Sequence, residues 1–152
     1  MKSDSRLSAI LHTLLHLAAA GRAMTSVELA RHMDTNPVVV RRAMAGLRKA
    51  GIVRSEKGRG GGWEIAADLN RVSLRQVHDA IGAPSLLAAG IRLEHPECLV
   101  EQAVNRALQP AFAEAEALLV NRFSAVTLAE LAADFTARAA AHRAQHKDHP
   151  HV

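Results

Sequence analysis

The residues best suited to chemistry in this sequence are cations. Between Asn36 and Trp63 stand Arg41, Arg42, Arg48, Lys49, Arg54, Lys57 and Arg59 against one acid, Glu56, a local net charge of +6. The whole chain of 152 residues carries only +4. From Glu94 to Asp134 the balance reverses, with seven acids against Arg106 and Arg122, a local charge of −5. A polyanion is attracted to the first stretch by counterion release and repelled by the second. Guanidinium groups bond guanine bidentately or grip phosphate, whereas lysine acts as a point charge.

Other chemistries find less support. Gly58-Arg59-Gly60-Gly61-Gly62 lacks the Gly-Lys-Ser/Thr ending of a phosphate loop, and Trp63 stands where a dinucleotide loop needs glycine. Its glycines suit the tip of a hairpin, where positive φ and close approach to a groove are required. His95-Pro96-Glu97-Cys98 brings metal-ligand residue types together without a second clustered pair, and His146, His149 and His151 read as a solvated tail, so no metal site is expected. His78 and Asp79 adjoin but point to different faces of a helix. No nucleophile elbow or paired-acid motif accompanies them, so no catalytic residues are expected and the chain does not read as an enzyme.

These cations need a scaffold. The spacing of Ile10, Leu14, Leu17 and Ala18 predicts a first helix over Arg6 to Ala20, stopped at Gly21. Thr25-Ser26-Val27-Glu28 has the form of a capping box opening a short helix to about Met33. After a tight turn, Asn36-Pro37 starts a third helix, since Asn caps free amides and Pro at the first helical position loses no bond; it ends at Ala50-Gly51. Ile52 to Ser55 and Trp63 to Ile65 read as two strands around the glycine-rich loop. Ser73-Leu74-Arg75-Gln76 is another capping box, for a helix to about Gly82. The fold class is therefore mainly α with a small β wing, a winged helix-turn-helix.

On the third helix, Val40, Ala43, Met44 and Leu47 share a face and are required for the core. That leaves Asn36, Val38, Val39, Arg41 and Arg42 at the helix start and outward side, where a recognition helix meets base edges. Val38 and Val39 offer apolar contact, for instance with thymine methyl groups. Arg48, Lys49 and Arg54 lie further back and suit phosphate, and Lys57 and Arg59 project from the wing tip. The alternative is a merely solvated helix face, against which the neighbouring basic wing argues. Trp63, a lone tryptophan at a strand start, is expected to pack inward under the wing.

Beyond Pro84 comes an irregular stretch to Pro96, then Val100, Val104, Ala107, Ala111, Ala115 and Leu118 at steps of four, three, four, four and three. A stripe of that period on an acidic helix needs a partner, which predicts a homodimer interface on those six residues. Pro110 should kink this helix or mark a restart. Thr127-Leu128-Ala129-Glu130 caps a final helix to about His142. The expected organisation is a DNA-binding domain over 1–83, linker and dimerisation helices over 84–143 and a flexible His-rich tail over 144–152. With 49% hydrophobic residues, no apolar run of eighteen and no secretory-type leader, a core-forming cytoplasmic protein without membrane contact is expected. Aromatic content of 3% with no tyrosine points away from base-stacking on single strands and towards duplex.

The Asn36 to Arg42 helix start, Leu47-Arg48-Lys49-Ala50-Gly51-Ile52-Val53, the Gly-Gly-Gly-Trp wing and Val72-Ser73-Leu74 together resemble the Rrf family of bacterial winged-helix regulators. Leu7 to Ala20, Cys98 and Val126-Thr127-Leu128-Ala129-Glu130-Leu131 extend the resemblance along nearly the whole chain. It implies a homodimeric transcription factor, usually a repressor, joined through the long helix. It also implies DNA contacts on Asn36, Val38, Val39, Arg41, Arg42 and the wing cation Lys57. Val38 and Val39 replace polar positions of the family.

Several members hold an iron–sulfur cluster on three cysteines. Here Cys98 is the single cysteine, and a cluster needs about four ligands, mostly thiolates, so no cofactor is expected. Cys98 then reads either as a redox-sensing thiol near a helix start or as a buried inert one. The leading reading is a homodimeric regulator that binds an imperfect palindrome in duplex DNA. The alternative is a winged helix that binds an acidic protein partner through the same basic face.

Overall fold

Leu7, Ile10, Leu14 and Leu17 line one face of α1 (Arg6–Ala20), and all four are buried. The structure, a computed structural model, describes residues 6–58, 61–87 and 97–147, with side chains to His142. Thr13, fully buried on the same helix, donates its hydroxyl to the Ala9 carbonyl at 2.8 Å, which removes the cost of burying it. Gly21, at φ +59°, turns the chain out of α1 in a conformation that other residues rarely adopt.

The capping box at α2 (Ser26–His32) forms as expected: Thr25 Oγ1 accepts from the Glu28 amide at 3.2 Å, and Glu28 Oε2 accepts from the Thr25 amide at 2.7 Å. Asp34, at φ +47°, makes the tight turn. Asn36 Oδ1 then accepts from the amides of Val38 and Val39 at 3.0 and 3.1 Å, which opens α3 (Pro37–Lys49). Val40, Met44 and Leu47 are buried from α3, with Ala43 partly so.

The Ile52 amide bonds the Leu47 carbonyl at 3.0 Å, so the chain passes from helix to wing without slack. β1 (Val53–Glu56) pairs antiparallel with β2 (Gly62–Ile65) in the register Val53 to Ile65, Arg54 to Glu64, Ser55 to Trp63 and Glu56 to Gly62. Met24 adds a third, one-residue rung: its amide and carbonyl both bond Trp63, at 2.9 and 2.8 Å. A side chain at Gly62 would lie 2.5 Å from the Met24 carbonyl, so this approach requires glycine.

The helix α4 (Leu74–Ala80) has its capping box between Ser73 and Gln76. Leu74 bonds the Val126 carbonyl and Leu128 bonds the Val72 carbonyl, each at 2.9 Å. These bonds lace the start of α6 (Leu128–Lys147) onto the rest, and Leu128 enters the same core as α1, α3 and α4. The helix α6 runs past its expected end near His142.

The helix α5 (Leu99–Phe123) is different, for none of its residues is buried. The structure shows no restart at Pro110, and the helix is continuous through it. Proline removes the bond to the Arg106 carbonyl, and both residues are exposed, where solvent can satisfy such a carbonyl. Among the described residues, no helix is long and apolar enough to cross a membrane.

Candidate nucleic-acid interface

The start of α3 presents an outward surface built from residues the core does not need. Val38 and Val39 are 58% and 46% exposed, unusual for branched apolar side chains on a helix whose other face is fully buried. Arg41 and Arg42 are exposed beside them, one turn further along. Asn36 holds the helix start through its cap, so its carbonyl oxygen is occupied and its amide nitrogen is the group left to face outward.

Further back, Lys49 is exposed, and Arg48 donates to Ser55 Oγ at 3.3 Å, which leans its guanidinium towards the wing. Arg54 departs from the expectation that it serves phosphate. It pairs across the hairpin with Glu64, its partner in register, at 2.5 Å. The hydrogen bond and charge of Glu64 raise the Arg54 pKa further, and the pair presents little net charge to an anion. On the wing, Lys57 is exposed and Gly58 adopts φ +101°. Arg59 lies outside the described residues.

Trp63 packs inward as expected, 9% exposed, and its indole reaches Ser26 on α2. The wing is thereby fixed to the helix-turn-helix, and the Lys57 strand end is positioned relative to α3. Arg41, Arg42 and Lys49 on α3 and Lys57 on the wing are exposed cations, with the two exposed valines at the start of α3.

The expected dimer residues Val100, Val104, Ala107, Ala111, Ala115 and Leu118 are all exposed on α5. Leu99, Leu108 and Leu119, absent from the sequence reading, are exposed with them. Cys98 is the N-cap residue of α5 and is exposed, so the buried-thiol reading does not describe the single chain. His95 and the side chains of His146, His149 and His151 lie outside the described residues. His78 is buried, with Nε2 2.9 Å from the Pro84 carbonyl, while Asp79 is exposed. The two side chains nevertheless meet, with Asp79 Oδ1 3.6 Å from His78 Nδ1, so the expectation that they point to different faces does not hold.

Sequence reasoning passed over a second cluster. His12 and His16 on α1 meet His32 at the end of α2, with their ligand atoms all within 4.8 Å of one another. The spacing of His12 and His16, one helical turn, was the available signal. The contribution of His32 needs the packing of α2 on α1.

A helix-turn-helix continued by a two-stranded wing, with a basic recognition face and an appended long helix, defines a winged-helix transcriptional regulator. The chain belongs to the Rrf2 family, described as iron-dependent transcriptional regulators, whose model matches residues 3–134. That is a family of regulators and not of enzymes. The chain is 30% identical over 128 residues to YwnA of Bacillus subtilis (strain 168), provisionally named an HTH-type transcriptional regulator, covering 84% of this chain and 95% of that one. A provisionally named transcriptional regulator from Lactobacillus plantarum has a similar crystal structure, with a TM-score of 0.67 at 21% identity, covering 95% and 99% of the two chains. CymR, the global cysteine regulator of B. subtilis, superposes with a TM-score of 0.59 at 16% identity over 88% of this chain and 97% of that one.

The family description implies iron. The donors present do not fit an iron–sulfur cluster: the chain has a single cysteine, exposed at the cap of α5, where a cluster takes about four ligands, mostly thiolates.

Proposed function

We propose that this protein is a homodimeric, sequence-specific binder of duplex DNA that represses transcription in the bacterial cytoplasm without an iron–sulfur cluster. One observation carries the reading: the start of α3 turns Val38, Val39, Arg41 and Arg42 outward while Val40, Met44 and Leu47 anchor the same helix in the core. A helix so held can enter a major groove about 12 Å wide, with arginine bonding guanine edges and valine meeting thymine methyls. Lys49 and Lys57 then lie to the sides, on phosphate.

The bare length of α5 supports the dimer. Val100, Val104, Leu108 and Leu118 are 40–72% exposed, and burying such a side chain stabilises by about 1.5–3 kcal/mol. A second copy of the helix supplies the matching apolar surface. Two recognition helices brought together in this way would read half-sites about 34 Å apart. The exposure of Cys98 makes it accessible to oxidant, and its place at the cap of α5 would let its oxidation alter the dimer.

The test is selection from a random duplex pool with the full chain, followed by gel-shift titration of the enriched site against its shuffled sequence. The expected product is an imperfect palindrome bound at least about a hundredfold more tightly than the shuffled duplex. Equal affinity for both would overturn the reading in favour of a winged helix that binds an acidic protein. Repeating the titration after oxidation, with the parent and Cys98→Ser, tests the thiol: the parent should lose affinity and the variant should not.

A further inference from the structure

We propose that His12, His16 and His32 form a binding site for a divalent transition metal that takes imidazole ligands, such as zinc, bridging α1 to the end of α2. This goes beyond the DNA-binding reading and does not rest on it.

His12 and His16 are four residues apart on α1, so their imidazoles leave the same face. His32 is the last residue of α2. The ring centroids of His12 and His16 lie 4.6 Å apart, those of His16 and His32 4.4 Å, and those of His12 and His32 6.4 Å. Two imidazoles from one helical turn and a third from the adjoining helix can supply three of the four ligands of a tetrahedral site, leaving the fourth position to water.

The rings of His12 and His16 and of His16 and His32 stack, with interplanar angles of 25° and 24°, so binding a metal requires them to turn until their lone pairs converge. A tetrahedral zinc with bonds of about 2.0–2.1 Å needs its nitrogens about 3.4 Å apart, against a present limit of 4.8 Å. The difference is a side-chain rotation. His12 and His32 are exposed and free to make it, while Phe135 of α6 holds the His16 ring edge-on at 5.8 Å.

The chemistry agrees. Among the described residues, none of the three rings has a hydrogen bond or ion pair. Among the described residues no carboxylate completes the set, which disfavours calcium and magnesium, since those ions take oxygen ligands. Three imidazoles suit zinc, copper, iron or nickel. His32 lies just before the turn that leads to the Asn36 cap of α3, so a metal here would tie α2, and the turn it feeds, to α1.

Isothermal titration with Zn2+ tests the site without DNA. The full chain is used with His146, His149 and His151 changed to Gln, so that the tail cannot supply the signal. A single Zn2+ per chain is expected, with a rise in melting temperature, and Co2+ should give the visible absorption of nitrogen coordination. His12→Gln and His32→Gln should each weaken Zn2+ binding at least about tenfold. Both side chains are exposed, so metal-free melting should match the parent and show that each variant folds. Absence of stoichiometric Zn2+ uptake, or unchanged affinity in both variants, would overturn the proposal.

Discussion

The indole Nε1 of Trp63 donates a hydrogen bond to the Ser26 hydroxyl at 3.0 Å, joining the second strand of the wing to the first residue of α2. The backbone reinforces it, because Met24 pairs with Trp63 through two hydrogen bonds just before the α2 cap. The wing is therefore a rigid extension of the helix-turn-helix. Lys57, at the end of the first strand, is thereby held at a fixed offset from the cations on α3.

Trp63→Phe should keep most of the packing and lose the bond to Ser26. The expected loss is about 1 kcal/mol in denaturant unfolding. Ser26→Ala should cost a similar amount, and the double variant little more than either single, since both remove one interaction. Full additivity would show that the two residues do not act together.

Gly46 faces α4 so closely that a methyl group would lie 2.2 Å from the Ala80 carbonyl oxygen. Gly46→Ala normally favours a helix, yet here α3 must move away from α4. A destabilisation of about 1–3 kcal/mol is expected. A more stable variant in thermal melting would mean that α3 and α4 are further apart in solution.

Arg41→Ala and Arg42→Ala leave the core untouched, because both side chains are exposed. Either should weaken binding to the selected operator by about 1–3 kcal/mol if it reads a base, with relaxed preference at one position. If it holds phosphate instead, affinity for all duplexes should fall and the salt slope should drop by about one. Unchanged affinity in both variants would remove α3 from the interface.

Val104→Asp and Leu118→Asp place charge on the exposed stripe of α5. Light scattering should show a dimer for the parent and a single chain for each variant, with operator affinity falling accordingly. The helix-turn-helix should still fold, since α5 has no buried residue. Identical mass for parent and variants would place the dimer contact elsewhere.

Glu28 gives the fold a defined acid response. The Thr25 amide, then the Arg22 guanidinium and the Thr25 hydroxyl, hold its carboxylate at a pKa of about 2, below its ordinary 4.5. The folded pKa is depressed, so this contribution is complete above about pH 4.5 and is lost as pH falls towards 2. Glu28→Gln should melt below the parent at pH 6, with the gap closing near pH 2. A gap independent of pH would show that the carboxylate is not held by these partners.

The sequence by itself determined the local architecture. The caps at Thr25, Asn36, Ser73 and Thr127 form between residues at most three positions apart, and the buried faces of α1 and α3 follow from helical spacing. Such features are settled by neighbours along the chain, so composition and order suffice to read them. The clustering of charge before the glycine wing was legible for the same reason.

Only the tertiary structure decided which groups are available and which elements share a core. Arg54 is neutralised by Glu64 because strand pairing sets that register. Leu128 joins the core beside a backbone bond to Val72, and Met24 becomes a rung of the wing, contacts between residues tens of positions apart. His32 reaches His12 and His16 because α2 packs on α1. Each depends on the packing of distant surfaces, which short-range periodicity does not encode.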